Sequence, residues 1–293
     1  MNFFKIMVAL DRSGLDEKLI EYSHFIANNF KATTTHFFHV VPHYIPSNIL
    51  DNRLENLLRK KSILAREQPK DLEKKIHSVF EEKEGMEFNL SVVEGKPQDQ
   101  LLNIIREKKP DLLVLGKKQI SDGSGIIARR IARKADCSIW FVTENANTAL
   151  KKILVPIDFS SYSLKALKTA LYLKKQLKEV SITALHLIDV PMTAYKINRN
   201  KEEIVQQLKA SAKNSFRQSL NKNKLSETDI EFKMLLNDNY NVAEYVQEMA
   251  AQEKSDLIIT GAKGRSGLGG FVFGSVTERL ISYPEIPPVL VVR

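Results

Sequence analysis

Residues 257–280 read L-I-I-T-G-A-K-G-R-S-G-L-G-G-F-V-F-G-S-V-T-E-R-L. Leu257, Ile258, Ile259 and Thr260 form a short apolar, β-branched run, which predicts a buried strand. Gly261, Gly264, Gly267, Gly269, Gly270 and Gly274 follow. Glycine lets backbone N–H groups approach a ligand with no Cβ in the way. Ser275-Val276-Thr277-Glu278 then has the form of a capping box, in which the Ser275 hydroxyl accepts from the Glu278 N–H while Glu278 reaches back to the cap. A strand, a glycine loop and a helix start, in that order, present N–H donors and the positive end of a helix dipole, which suits phosphate.

Outward from this stretch, the chain repeats itself. Lys5-Ile6-Met7-Val8-Ala9-Leu10-Asp11 returns as Lys152-Ile153-Leu154-Val155-Pro156-Ile157-Asp158, a shift of 147 residues. Phe38-His39-Val40-Val41 returns at the same shift as Leu185-His186-Leu187-Ile188. Asp111-Leu112-Leu113-Val114-Leu115-Gly116 matches Asp256-Leu257-Ile258-Ile259-Thr260-Gly261, and the closing runs 138–142 and 288–292 correspond. Four matched segments in one order indicate a tandem duplication. Two domains are expected, 1–145 and 150–293, joined by a short polar linker at 143–149.

Within each half, strand-like and helix-like segments alternate. The first half predicts strands at 5–10, 34–41, 88–93 and 111–115, with helices over 16–29, 97–106 and, broken near Pro69, 48–84. The second half predicts a long helix over 201–220 and a strand at 231–236. Val-, Ile- and Leu-rich strands separated by amphipathic helices imply an α/β fold with a doubly wound parallel sheet in each domain. Such sheets bind ligands beyond the carboxyl ends of the strands. Asp11 and Asp158 end first strands and Gly261 ends a fourth, so Asp158 and Gly261 are expected on one edge.

The composition is that of an ordinary globular protein, 293 residues with 43% hydrophobic and 27% charged. The net charge of +9 is spread over helix faces among glutamates, as at Glu81-Glu82-Lys83-Glu84, which favours a solvated basic surface over a nucleic-acid footprint. The single cysteine, Cys137, allows no intrachain disulfide and is expected to be a buried, inert thiol. The first residues run straight into strand-like sequence, without a signal-peptide pattern, and no stretch approaches a membrane span. A cytoplasmic location is the expectation.

The six histidines (His24, His36, His39, His43, His77 and His186) show no metal-ligand spacing with a carboxylate partner. His39 and His186 are repeat counterparts, which points to packing or hydrogen bonding. There is no Walker lysine motif and no nucleophile elbow, so the protein is expected not to be an enzyme.

The spacing Gly261-x2-Gly264-x9-Gly274-Ser275 resembles the signature of the universal stress protein family, in its ATP-binding branch. With the repeated opening strand ending in Asp and the His-Val and His-Leu pairs, the resemblance covers essentially the whole chain. It implies a tandem member with ATP in the second domain, Mg²⁺ or Mn²⁺ arriving on the phosphates, and regulation through an unidentified protein partner.

Carried over residue by residue, Asp158 borders the adenine and ribose, Pro156 belongs to the same nucleotide site, and Leu187 and Ile188 form an apolar wall whose backbone meets the base. Thr260, Gly261, Lys263 and Gly264 border ribose and phosphates, and Gly274, Ser275 and Val276 form the phosphate turn. Taken singly, Asp158 reads as a loop or cap residue and Gly274-Ser275 as a capped turn; together with the loop spacing they favour a nucleotide site. The closing strand 289–292 resembles the family's dimerisation strand, so the two halves are expected to form an intramolecular pseudo-dimer. Whether chains pair further stays open.

The first domain departs from the pattern. Aligning Arg130 with Arg279 sets Gly125 opposite Gly274, Ile126 opposite Ser275 and Arg129 opposite Glu278, and Gln119 replaces Gly264. Its loop spans 9 positions from Gly116 to Gly125, against 13 from Gly261 to Gly274. The first nucleotide site is therefore expected to be degenerate, with Gly123-Ser124 and Arg129, Arg130 and Arg133 as the alternative phosphate contacts. Two further functional readings stand beside ATP sensing: a slow ATP phosphohydrolase, and an interaction module that uses no nucleotide or holds an apolar ligand in the first domain.

Overall fold

The structure, a computed structural model, describes residues 3–42, 69–80, 86–117, 124–190, 201–238, 241–264 and 273–293. Most of the charged segment expected as helix over 48–84 lies outside them, as does the loop at 118–123. The chain divides into two compact units between Glu144 and Asn145.

The first unit runs β1 (Lys5–Leu10), α1 (Leu15–Asn29), β2 (Thr34–Pro42), α2 (Pro69–Val79), β3 (Glu87–Gly95), α3 (Pro97–Lys108), β4 (Leu112–Gly116), α4 (Ser124–Lys134) and β5 (Ser138–Val142). The second runs β6 (Lys152–Pro156), α5 (Ser161–Leu177), β7 (Ser181–Ile188), α6 (Lys201–Lys222), β8 (Glu231–Leu236), α7 (Val242–Glu253), β9 (Leu257–Gly261), α8 (Ser275–Ser282) and β10 (Val289–Val292).

Each unit is a parallel sheet. The strand order is β3-β2-β1-β4-β5 in the first and β8-β7-β6-β9-β10 in the second. Successive strand residues face opposite sides, yet Leu112 through Leu115 and Leu257 through Ile259 are all buried. Both faces are therefore covered, which is why these strands read as unbroken apolar runs rather than alternating ones. In the first unit an aromatic cluster fills one layer of the core. The Trp140 ring lies 5.6 Å from Tyr22 and 6.5 Å from Phe3, centroid to centroid.

The duplication extends to backbone detail. Arg12 and Phe159 hold positive φ at corresponding turns (63° each), as do Lys31 and Lys178, and Lys109 and Lys254. None is glycine, and each left-handed residue costs about 1 kcal/mol. Asp111 Oδ2 accepts from the Lys5 N–H at 2.9 Å, and Asp256 Oδ2 from the Lys152 N–H at 2.8 Å, so an aspartate pins the start of the first strand in each half.

The register decides where ligands can go. The chain fills one side of each sheet first, then crosses over: β1 pairs with both β2 and β4, and β6 with both β7 and β9. The reversal opens a crevice at the carboxyl ends of these two central strands. In the second unit the turn after β6 and the loop after β9 meet there.

A cleft at the switch point of the second unit

A cleft of about 340 Å³ lies at this crevice. One wall is Pro156 and Asp158 from the end of β6, with Leu187 from β7. The floor is Thr260, Gly261, Lys263 and Gly264, and the far rim is Gly274, Ser275 and Val276 at the start of α8. Ten of the residues singled out from sequence thus meet in one cleft, although they come from four separate stretches of chain.

Ile188 departs from the expectation. It does not line the cleft; its side chain is 5% exposed and its carbonyl accepts from the Asn237 N–H at 2.9 Å.

The expected capping box also fails. Gly274, with φ −65° and ψ 133°, is the N-cap of α8 and, as a glycine, provides no side-chain cap. The Glu278 N–H donates to the Gly274 carbonyl at 2.9 Å instead of to the Ser275 hydroxyl. Ser275 is therefore the first helical residue, and it is exposed. The physical cause is a tether the sequence reading missed. Thr277 Oγ1 donates to the Gly261 carbonyl at 2.8 Å and lies 3.3 Å from Thr260 Oγ1, fixing the first turn of α8 to the end of β9. The Ser275, Val276 and Thr277 N–H groups precede the first internal helix bond. An uncapped helix start at the rim of a cleft is an arrangement that takes anions.

The glycines are required by close approach. A Cβ on Gly261 would lie 2.8 Å from the Tyr162 backbone carbon, so this position admits no side chain. A Cβ on Gly264 would lie 3.1 Å from Asp158 Oδ2, which shows how near the loop runs to that carboxylate. Asp158 Oδ1 accepts from the Ser160 N–H at 3.0 Å, and Ser160 in turn caps α5 through the Ser163 N–H at 3.2 Å. Asp158 is thus both a turn-forming residue and a cleft wall. Lys263 Nζ sits 5.9 Å from the centre of the Tyr162 ring, at the cleft floor. The repeated histidines are structural: His39 Nδ1 meets the Leu10 carbonyl at 2.9 Å, and His186 Nδ1 meets the Ile157 carbonyl at 2.8 Å.

Sequence reasoning missed Ser163, His186, Asp189, Val242 and Thr277, all of which line the cleft. The histidine repeat was a signal for one of them. Asp189 and Val242 enter only through the packing of β7 and α7 beside β6, which no local pattern announces. Among the described residues no group of three or more His, Cys, Asp or Glu is placed to hold a metal ion, and no helix is long and apolar enough to cross a membrane.

In the first unit the corresponding crevice between β1 and β4 holds a smaller cleft, about 210 Å³. Asp11, His39 and Gly116 line it as their counterparts line the other. Arg130 donates to Gln98 Oε1 at 3.3 Å and Arg279 to Asn241 Oδ1 at 3.2 Å, each joining the last helix to the one before it. The alignment of Arg130 with Arg279 therefore has a structural basis. Of the alternative Gly123-Ser124 turn, Gly123 lies outside the described residues.

Fold and clefts define a class: a tandem pair of doubly wound α/β domains, each with a cleft at its switch point. Comparison with known proteins makes this specific. The universal stress protein family model matches residues 2–143 and again 149–293, and the chain belongs to that family. Universal stress protein MJ0531 of Methanocaldococcus jannaschii is 30% identical over 153 residues, covering 52% of this chain and 87% of that protein. Universal stress protein MJ0577 of the same organism is 31% identical over 157 residues, covering 49% and 94%. Among solved structures, a universal stress protein from Archaeoglobus fulgidus aligns over 100% of this chain and 97% of its own, with a TM-score of 0.66 at 14% identity. A similar protein from Pseudomonas aeruginosa aligns over 99% and 93%, with a TM-score of 0.64 at 13% identity. These two likenesses concern the fold.

Proposed function

We propose that this stress-response family member binds ATP in the cleft of its second unit and signals occupancy to a protein partner. The observation that carries the reading is the meeting of Asp158, the Gly261–Gly264 loop and the uncapped start of α8 around one cavity of about 340 Å³. The adenosine would lie against Pro156 and Leu187, with Asp158 accepting from the ribose hydroxyls. The phosphates would reach Gly264, the N–H groups of Ser275 and Val276, and Lys263. A divalent cation would arrive with the phosphates. The cleft supplies donors and a positive helix end, which is what holding a polyphosphate requires, and the reading is of binding rather than turnover. The intramolecular pseudo-dimer implied by the family resemblance belongs to the same proposal.

Calorimetric titration of nucleotide-free protein with ATP and Mg²⁺ tests it. One site per chain is expected. Gly274→Ala combined with Ser275→Ala should weaken affinity at least tenfold while leaving the far-ultraviolet circular dichroism unchanged, because a Cβ on Gly274 would come no nearer than 3.4 Å to any neighbour. Absence of binding by protein verified to be free of nucleotide would overturn the proposal, and two equivalent sites would refute its asymmetry.

A further inference from the structure

The cleft of the first unit repeats the position of the second cleft but reverses its chemistry. Where Thr260 and Thr277 tie β9 to α8 through hydroxyls, the first unit carries Leu115 and Ala128. Where Asp189 and Ser275 border the second cleft, the first unit has Pro42 and Ile126. Ile126 is 43% exposed, one of only two large apolar side chains so exposed among the described residues. Leu15, Phe38 and Ile131 complete an interior of hydrocarbon. These replacements fall at four separate points of the chain and all run in one direction, from polar to apolar.

The acidic groups differ as well. Asp11 is the one carboxylate among the described lining residues. Behind it Asp16, 3% exposed, occupies the place of Ser163 and accepts from the N–H groups of Asp11 (3.1 Å) and Arg12 (2.9 Å). The turn after β1 thus rests on a buried carboxylate where the second unit has a hydroxyl. A ligand head placed beside the Asp11 carboxylate gains by donating a hydrogen bond to it.

We infer that the first unit is a second, chemically distinct ligand site, which takes a small hydrocarbon group carrying a hydrogen-bond-donating head, hydroxyl or ammonium. The hydrocarbon fills the space between Leu115, Phe38 and Ile127, and the head faces Asp11. An apolar cavity of about 150 Å³ is enough to hold a benzene ring, so the volume here admits a single ring or a short alkyl chain. The inference does not rest on nucleotide binding by the other unit.

The test is a ligand-observed NMR titration of the full chain with benzyl alcohol, a single-ring probe carrying a hydroxyl head, in the presence of saturating ATP and Mg²⁺. One saturable site is expected. 1-Octanol and octylamine should each displace the probe at least tenfold more effectively than octanoate, and ATP should not displace it. Leu115→Thr with Ala128→Thr, which restores the hydroxyls of the second unit, should weaken probe binding at least tenfold. Should that pair disturb folding, Ile127→Phe at the half-buried rim, which fills the cavity, decides. A titration that does not saturate, displacement by ATP, equal displacement by octanoate, or folded variants with unchanged affinity would each overturn the inference.

Discussion

The two halves share strand order, left-handed turns and the histidine that braces the first strand end, yet beyond a common aspartate and histidine their clefts differ at several polar positions. Duplicated framework and divergent lining are separable because they rest on different interactions. The framework depends on burial of strands such as Leu112–Leu115 and on aspartates that pin strand starts. The lining depends on a few side chains at strand ends and on the first turn of the last helix, where substitution leaves the sheet intact. A fold of this kind can hold one ligand class in one copy and another in its twin.

The sharpest way to break the comparison is at the glycine that ends the fourth strand. Gly261→Ala should destabilise the second unit by about 3 kcal/mol or more, since the new methyl would meet the Tyr162 backbone at 2.8 Å and backbone cannot yield cheaply. Gly116→Ala should cost about 1 kcal/mol, because the obstacle there is the end of the Leu15 side chain, which can turn aside. Urea denaturation of both variants measures the difference, and equal losses would show that the two strand ends are packed alike.

A smaller effect is expected beneath the first turn. Asp16→Ala removes the acceptor of two backbone N–H groups and should cost about 1–3 kcal/mol. Ser163→Ala should cost less, since its hydroxyl accepts one such bond, from the Asp158 N–H at 3.3 Å. Burial raises the Asp16 carboxyl above its ordinary value, with backbone donors opposing and Asp11 adding to the rise. A raised carboxyl favours the native state most when protonated. Its contribution is full below 3.8, the unfolded value, and falls as pH rises through the folded one. Denaturation midpoints followed from acid to neutral pH should therefore show this decline in the native protein and a flatter profile in Asp16→Ala.

The smallest expected effect concerns Lys117, which follows β4 where the second half has the buried Ala262. Burial pushes the Lys117 ammonium down to about 8. Because the unfolded chain holds this proton up to about 10.5, stability should rise with pH between those values and be lost as pH falls through 8. Lys117→Met, which keeps the stem and removes the charge, should raise the melting temperature at pH 7 by a few degrees and abolish that rise. Thermal melts from pH 7 to 10.5 check it.

Much of this was legible before any coordinates. The 147-residue repeat, the apolar strands and the glycine spacing are local patterns, and each follows from backbone sterics or from the need to bury both faces of a parallel sheet. The capping box misled because Ser-x-x-Glu satisfies a helix start equally well one residue earlier, with Gly274 as the cap. The Thr277–Gly261 bond chose between these registers, and its partners lie sixteen residues apart in the chain. Ile188 lies outside the cleft lining because its side chain is buried in the core, while its carbonyl accepts from the Asn237 N–H.

From its sequence alone this protein was determined to be two doubly wound α/β domains, with a glycine-rich loop after the fourth strand of the second and an altered loop in the first. Only the tertiary structure decided what each cleft is made of. Asp189, Val242 and Thr277 in one unit, and Leu115, Ala128 and Pro42 in the other, become neighbours when the strand order reverses between the first strand and the fourth. That reversal is a property of how the sheet is wound, so no stretch of sequence contains it.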